Sequence, residues 1–184
     1  RFNKGGAVKP KPGTVVDDDW RTIPEYPLYP GAPLKNNHFY GGTLYGITEK
    51  LDYLKSLGVN TLYLSPIFDA ASNHKYDTGD YMSIDSMFGG EEAFLDLLAK
   101  SKEKGIGIIL DGVFNHTGRD FFAFRDIKKK REASAYKDWY CNVNFWGNNE
   151  YNDGFSYDNW GGYNLLAKLN QHNSAVRDYI CDVI

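Results

Sequence analysis

Residues 105–118, GIGIILDGVFNHTG, open as an unbroken apolar run and turn abruptly into Asp111, Gly112, Asn115 and His116. A short continuous apolar run reads as a strand covered on both faces by flanking helices. Just upstream, residues 91–104 place acids first and Lys100, Lys102 and Lys104 last, with Gly105 beyond. That charge order complements the helix dipole, and the glycine is a helix stop. Further back, NTLYLSPIF (60–68) repeats the pattern, as a strand preceded by a helix that carries Ile47, Leu51 and Leu54 on one face and ends at Gly58. Helix, strand, helix, strand with short glycine-containing links predicts repeating α/β architecture with parallel strands. A right-handed crossover brings the loops after both strands, SNHKYDTGDY (72–81) and DGVFNHTG (111–118), to one end of the sheet, where ligand sites of parallel α/β folds form. Taken alone, Asp111-Gly112 is a turn, with Asn115 and His116 satisfying loop backbone. Two convergent polar loops favour a site instead. Asn115-His116-Thr117 fits the glycosylation sequon, but the mouth of a buried strand is a poor acceptor position.

Composition excludes other classes. With 184 residues, 42% hydrophobic and 24% charged, and a net charge of −3, the chain reads as an ordinary globular protein with a sizeable core. The basic run Lys128–Arg131 sits among acids and reads as a solvated helix face, so no nucleic-acid partner is implied. No apolar run has the length of a membrane span. Cys141 and Cys181 are too few for a disulfide framework and lean towards a reducing, cytoplasmic setting. Residues 1–42, rich in Gly, Pro and Lys, with DDD at 17–19 and PEYPLYPGAP at 24–33, show no lasting period and read as a long loop. After His116 alternation is lost for about fifty residues, until a helix begins near Asn173 with Val176, Ile180 and Val183 on one face. That interval holds aromatics from Trp139 to Tyr163 which fit a sugar cleft and a private core equally well.

DGVFNH (111–116) resembles the first signature region of the alpha-amylase family of glycoside hydrolases, the strand-three motif of their (β/α)8 barrel. SNHKYDTGDYMSIDSMFGG (72–90) resembles the strand-two loop of the neopullulanase and cyclomaltodextrinase branch, and FYGGTLYGITEKLDYLKSLGVN (39–60) the loop and helix before it. LLAKLN (165–170) is similar to that branch's MPKLN signature, with Ala167 in place of Pro. The resemblance implies an α/β fold that is part of a TIM (β/α)8 barrel, comprising the strand 2 and strand 3 units with an irregular loop domain inserted after strand 3. Residues 1–116 are then the N-terminal part of the barrel, 117–171 the inserted loop domain, and 172–184 the helix leading to strand 4.

Carried over by motif, Tyr76 stacks on a sugar ring, His116 donates a hydrogen bond to hydroxyls of that sugar, Asp111 orients the catalytic floor, and Asp77 lies at the rim of the site. An aromatic face suits the C–H face of a sugar, and a neutral imidazole donates one hydrogen bond and accepts another. Asn115 corresponds to a calcium ligand in many relatives, which makes calcium the one cofactor implied. Against it, Thr43 follows Gly41-Gly42 where calcium-binding relatives carry Asp, and Lys168 stands where many alpha-amylases have a calcium-binding Asp. An ammonium has no lone pair for a cation. His74 reads as a residue of the loop's own hydrogen bonding.

The implied activity is retaining hydrolysis or transfer at α-1,4 or α-1,6 glucosidic bonds of maltodextrin, pullulan or cyclodextrin. The alternative is a non-catalytic amylase-like scaffold or carbohydrate-binding protein. Retaining chemistry needs a nucleophile and an acid, which in the family come from strands four and five. A barrel needs about 250 residues, and the opening RF resembles the end of the motif after strand one. The expectation is therefore an internal piece whose partners are an alpha-glucan and the rest of its own barrel, without catalytic carboxylates and inactive alone.

Overall fold

Two Schellman-type helix ends prepare the central pair of strands. Gly58 (φ +85°) and Gly105 (φ +66°) sit in the left-handed region. Each lets the chain reverse so that the last carbonyls are satisfied: Gly58 N–H to Lys55 O and Val59 N–H to Leu54 O, then Gly105 N–H to Lys102 O and Ile106 N–H to Ser101 O. The glycine stops read from sequence are these.

The computed structural model describes every residue except Arg1, Ala7, Asp18 and Gly31. The first residue of RF and one residue each of the DDD and PEYPLYPGAP runs thus lie outside the described residues. In chain order, β1 (Val15–Val16) pairs in parallel with β2 (His38–Phe39), a two-residue ladder within the otherwise irregular amino-terminal loop. The helix expected from residue 44 bends at Lys50 (φ −104°, ψ 6°) into α1 (Leu44–Glu49) and α2 (Leu51–Ser56). Strand β3 (Thr61–Leu64) is shorter than the run 60–68 read as one strand, and an antiparallel pair follows, β4 (Phe68–Ala70) and β5 (Thr78–Ile84), which apart from Phe68 lies in what sequence did not mark as strand. Helix α3 (Gly90–Glu103) crosses over to β6 (Gly107–Leu110), parallel to β3 with Leu64 opposite Leu110. Next come β7 (His116–Thr117), α4 (Phe122–Lys130), β8 (Asn159–Trp160) and β9 (Tyr163–Lys168), and last α5 (Ser174–Val183), capped by the Asn173 side chain on Ala175 N–H.

Two sequence expectations need correction. Strands β3 and β6 are not buried on both faces: Leu62, Leu64, Ile108 and Leu110 pack towards α2 and α3 with Leu51, Ala93 and Leu97, whereas Tyr63 and Ile109 are 62% and 50% exposed. Side chains alternate across a strand, and among the described residues no second layer covers the other face. Residues 117–171 are irregular only in part. Strands β7, β9 and β8 form an antiparallel sheet in that order, and α4 packs Phe124 and Ile127 beneath it. The aromatics there divide. Phe124, Tyr140, Phe155 and Tyr157 are buried in edge-on and tilted pairs, Phe124 to Tyr140 at 5.3 Å and Phe124 to Tyr157 at 5.0 Å. Tyr81 of β5 and Val176 of α5 join the same cluster, so this core is shared rather than private. Lys128, Lys129 and Lys130 are solvated as expected. Arg131 is not, since its guanidinium donates to the carbonyls of Phe145, Asp153 and Gly154.

Candidate functional site

The two polar loops meet at Tyr76. Its hydroxyl donates to Asp111 Oδ2 at 3.2 Å, its carbonyl lies 3.0 Å from His116 Nε2, and its N–H donates to His74 Nδ1 at 3.1 Å. The first two bonds join the loop before β5 to the residues after β6, as the parallel crossover requires. The loop reaches this shape because Lys75, a non-glycine residue at φ +65°, turns its side chain inward. A lysine in this region is uncommon and needs its surroundings to hold it there. Lys75 is fully buried, donates to Ala70 O (2.8 Å) and Asp85 Oδ2 (2.6 Å), and lies over the rings of Phe39 and Phe88. Asp85 also accepts from Lys11 Nζ (2.5 Å) and caps Met87 N–H (2.8 Å). Burial works against its ionisation, but the hydrogen bonds from Lys11 and Lys75 hold its carboxyl below the usual range.

Tyr76, 41% exposed, faces a cavity of about 440 Å³ lined by His74, His116, Trp160, Tyr163, Leu165 and Leu166, with Asn36 from the amino-terminal loop. Trp160 and Tyr163 are paired across a turn made by Gly161 (φ +63°) and Gly162 (φ +86°), the backbone that a two-residue hairpin loop demands. The Trp160 ring stands 6.0 Å from that of His116. Sequence reasoning left Trp160 and Tyr163 unassigned, although WGGY is itself a hairpin signal that sets two aromatics side by side.

His116 is 5% exposed and has both ring nitrogens engaged, Nε2 by Tyr76 O and Nδ1 by Asn115 Nδ2 at 3.1 Å. An amide nitrogen is a donor, so Nδ1 accepts and Nε2–H donates to Tyr76 O. Burial lowers the His116 pKa, although Tyr76 O and the Asp77 charge oppose the shift, and the ring is neutral at pH 7. The hydroxyl of Tyr81 lies 2.5 Å from Val113 O and 2.9 Å from His116 O, fixing the backbone beneath.

Asp111 meets Tyr76 at its hydroxyl without lining the cavity, and Asp77 stands behind. It is 2% exposed, accepts from Ser72 N–H (3.2 Å) and Ser72 Oγ, and does not line the cavity. Gly118 packs on it so closely that an added Cβ would stand 2.2 Å from Asp77 O. The surroundings of Asn115 do not fit calcium. Lys168 is the ladder partner of the adjacent His116, and the described residues gather no group of three His, Cys, Asp or Glu that could hold a metal. Calcium takes six to eight oxygens, carboxylates prominent among them. Thr117, at the third sequon position, is buried with its hydroxyl bonded to that of Tyr140. Among the described residues no helix is long and apolar enough to cross a membrane.

Residues 11–184 match the family model described as alpha amylase, catalytic domain. The amylopullulanase of Thermoanaerobacterium saccharolyticum is 42% identical over 86% of this chain, which covers 13% of that protein. Neopullulanase 2 of Thermoactinomyces vulgaris is 39% identical over 100% of the chain and 29% of that protein. Among solved structures, the cyclic alpha-maltosyl-(1→6)-maltose hydrolase of Arthrobacter globiformis, bound to the compound it is named for, superposes with a TM-score of 0.80 at 35% identity, covering 100% of this chain and 38% of that one. The chain therefore spans well under half the length of these relatives. Its parallel strand pair and crossover helix are part of an α/β barrel, and the chain belongs to the alpha-amylase catalytic-domain family.

Proposed function

We propose that this chain is the substrate-positioning part of a retaining alpha-glucan hydrolase or transglycosylase, and that a glucosyl ring lies against Tyr76 in the cavity between the two polar loops. One observation carries the reading: an exposed tyrosine, tied at its amide, carbonyl and hydroxyl, opens onto a cavity whose other walls include Trp160 and Tyr163. An aromatic face receives the C–H face of a pyranose, and fixing the ring beforehand removes the entropy cost of ordering it on binding. His116 acts first through Tyr76, and a sugar hydroxyl that accepts a hydrogen bond from its Nε2–H must displace Tyr76 O. Asp111 holds the phenol, and Asp77 secures the loop through Ser72. Relatives named for pullulan and for a cyclic maltosyl-maltose favour substrates that combine α-1,4 and α-1,6 bonds.

The chemistry belongs to the longer protein. Retaining cleavage needs two carboxyl groups flanking the anomeric carbon, about 5 Å apart, and among the described residues no carboxylate lines the cavity. We assign the nucleophile and the acid to later barrel strands, and residues 117–171 to a domain inserted after the third. The test pairs two proteins. One carrying this chain with the rest of its barrel should release reducing sugar from maltodextrin or pullulan, while the 184-residue chain alone, shown by mass spectrometry to be free of the longer form, should give only the blank. An inactive longer protein would defeat the enzymatic reading in favour of a scaffold, and turnover by the short chain that is lost on changing Asp77 or Asp111 would overturn the assignment of those carboxylates.

A further inference from the structure

Of the three bonds that fix Tyr76, the one to its amide comes from His74. The Tyr76 N–H donates to His74 Nδ1 at 3.1 Å, which requires that nitrogen to carry no proton. The same Nδ1 stands 3.1 Å from Ser72 Oγ. That hydroxyl donates its own proton to Asp77 and accepts from Lys75 N–H at 3.1 Å, so it offers Nδ1 only a lone pair. The ring thus has two arrangements. Neutral, it accepts from Tyr76. Protonated at Nδ1, it becomes a donor suited to Ser72 Oγ and sets N–H against N–H at Tyr76.

We propose that His74 is a positioning residue whose neutral ring holds the Tyr76 amide, and with it the aromatic wall of the cavity, and whose protonation moves that hydrogen bond to Ser72 and frees the wall. Burial and the Lys75 charge keep His74 neutral at pH 7 and Asp77 pulls the other way, with burial prevailing, so the change falls on the acid side of the ordinary histidine range. The other titratable groups at this wall are His116 on the Tyr76 carbonyl, Asp111 on its hydroxyl and Tyr63 of β3 beside Asp111, and Trp160 and Tyr163 face it from β8 and β9. The consequence for sugar binding rests on the reading of Tyr76 given above; the amide bond itself does not.

The experiment compares wild type, His74→Asn and His74→Ala in the protein that carries this chain with the rest of its barrel, with maltotriose as substrate, from about pH 5 to 8. Asn places an amide oxygen where Nδ1 lies and does not titrate. His74→Asn should keep the wild-type KM at neutral pH and lose the rise in KM that wild type shows in acid. His74→Ala should show at every pH a KM about fivefold above the neutral wild-type value, the worth of one hydrogen bond, and so meet wild type in acid, with a smaller effect on kcat. A wild-type KM and pH profile in both variants overturns the proposal. Hydrogen exchange at the Tyr76 amide gives a readout independent of sugar: protection in wild type that is lost in His74→Ala supports it, and equal protection overturns it. Should no form turn over maltotriose, the functional reading fails, and the exchange measurement still decides the role of His74. If His74→Ala does not fold, the pH profile of His74→Asn carries the test.

Discussion

Removing the Asp85 charge should cost far more than removing the Lys75 charge, although the two residues form one ion pair. Both side chains are fully buried. Asp85 holds two ammonium groups, those of Lys75 and Lys11, and both also point at Ala70 O, at 2.8 and 3.1 Å. Asp85→Asn keeps the size and the Met87 cap but leaves two cations side by side, Lys75 with no carboxylate and Lys11 with only the half-exposed Asp69. Removing one partner of a buried pair costs about 3–5 kcal/mol. Lys75→Met leaves Asp85 with Lys11 at 2.5 Å and lays an unbranched chain between the rings of Phe39 and Phe88. Relief of the lysine's desolvation offsets the lost bond, for a cost of about 1 kcal/mol. Native-state hydrogen exchange at β5 amides such as Tyr81, in the barrel-length protein, measures both values locally. A depressed Asp85 pKa also fixes the sign of the pH dependence. Its contribution is complete above the unfolded carboxylate value of about 3.9, is lost as pH falls through the folded value, and should be missing from Asp85→Asn. Equal costs, or a larger cost for Lys75→Met, would refute the two-cation argument.

Three further outcomes follow from the same geometry. His116→Ala should lower kcat/KM on a maltooligosaccharide by about tenfold or more, with the fold intact by circular dichroism, because it leaves Tyr76 O without its donor; unchanged kcat/KM contradicts this. Trp160→Ala should raise KM about fivefold through loss of one aromatic wall, read by steady-state kinetics on the same substrate. Phe155→Ala, at a fully buried position against Phe124, Phe145 and Tyr157, should destabilise by about 3–5 kcal/mol in denaturant unfolding, and a loss under 1 kcal/mol would mean the cluster is not a packed core.

What was legible in sequence was local. Leu62, Leu64, Ile108 and Leu110 formed apolar runs, Gly58 and Gly105 stopped helices, and Asn173 capped one, because each effect depends on neighbours within a turn or two. The convergence of Tyr76, Asp111 and His116 followed from one topological rule. Strands β4 and β5 escaped notice because register shifts at Asp69 break the alternation. The β7–β9–β8 sheet escaped because its pairings join His116 to Lys168 and Thr117 to Ala167, about fifty residues apart, and the two-residue β7 and β8 carry no period. Lys75 was the least legible: lysine is ordinarily exposed, and only the folded chain brings Asp85 and Lys11 to it. Asp77 was placed at the rim by resemblance, and its Ser72 bonds show a carboxylate turned away from the cavity.

The most direct test of the account is a crystal structure of the barrel-length protein soaked with maltotriose. The expected result is a glucosyl ring with its C–H face on Tyr76, between the His116 side and the Trp160–Tyr163 turn, with Tyr76 still bonded to Asp111. A sugar bound elsewhere, with the Tyr76 cavity filled only by water at saturating maltotriose, would contradict the claim that these two loops build the substrate site.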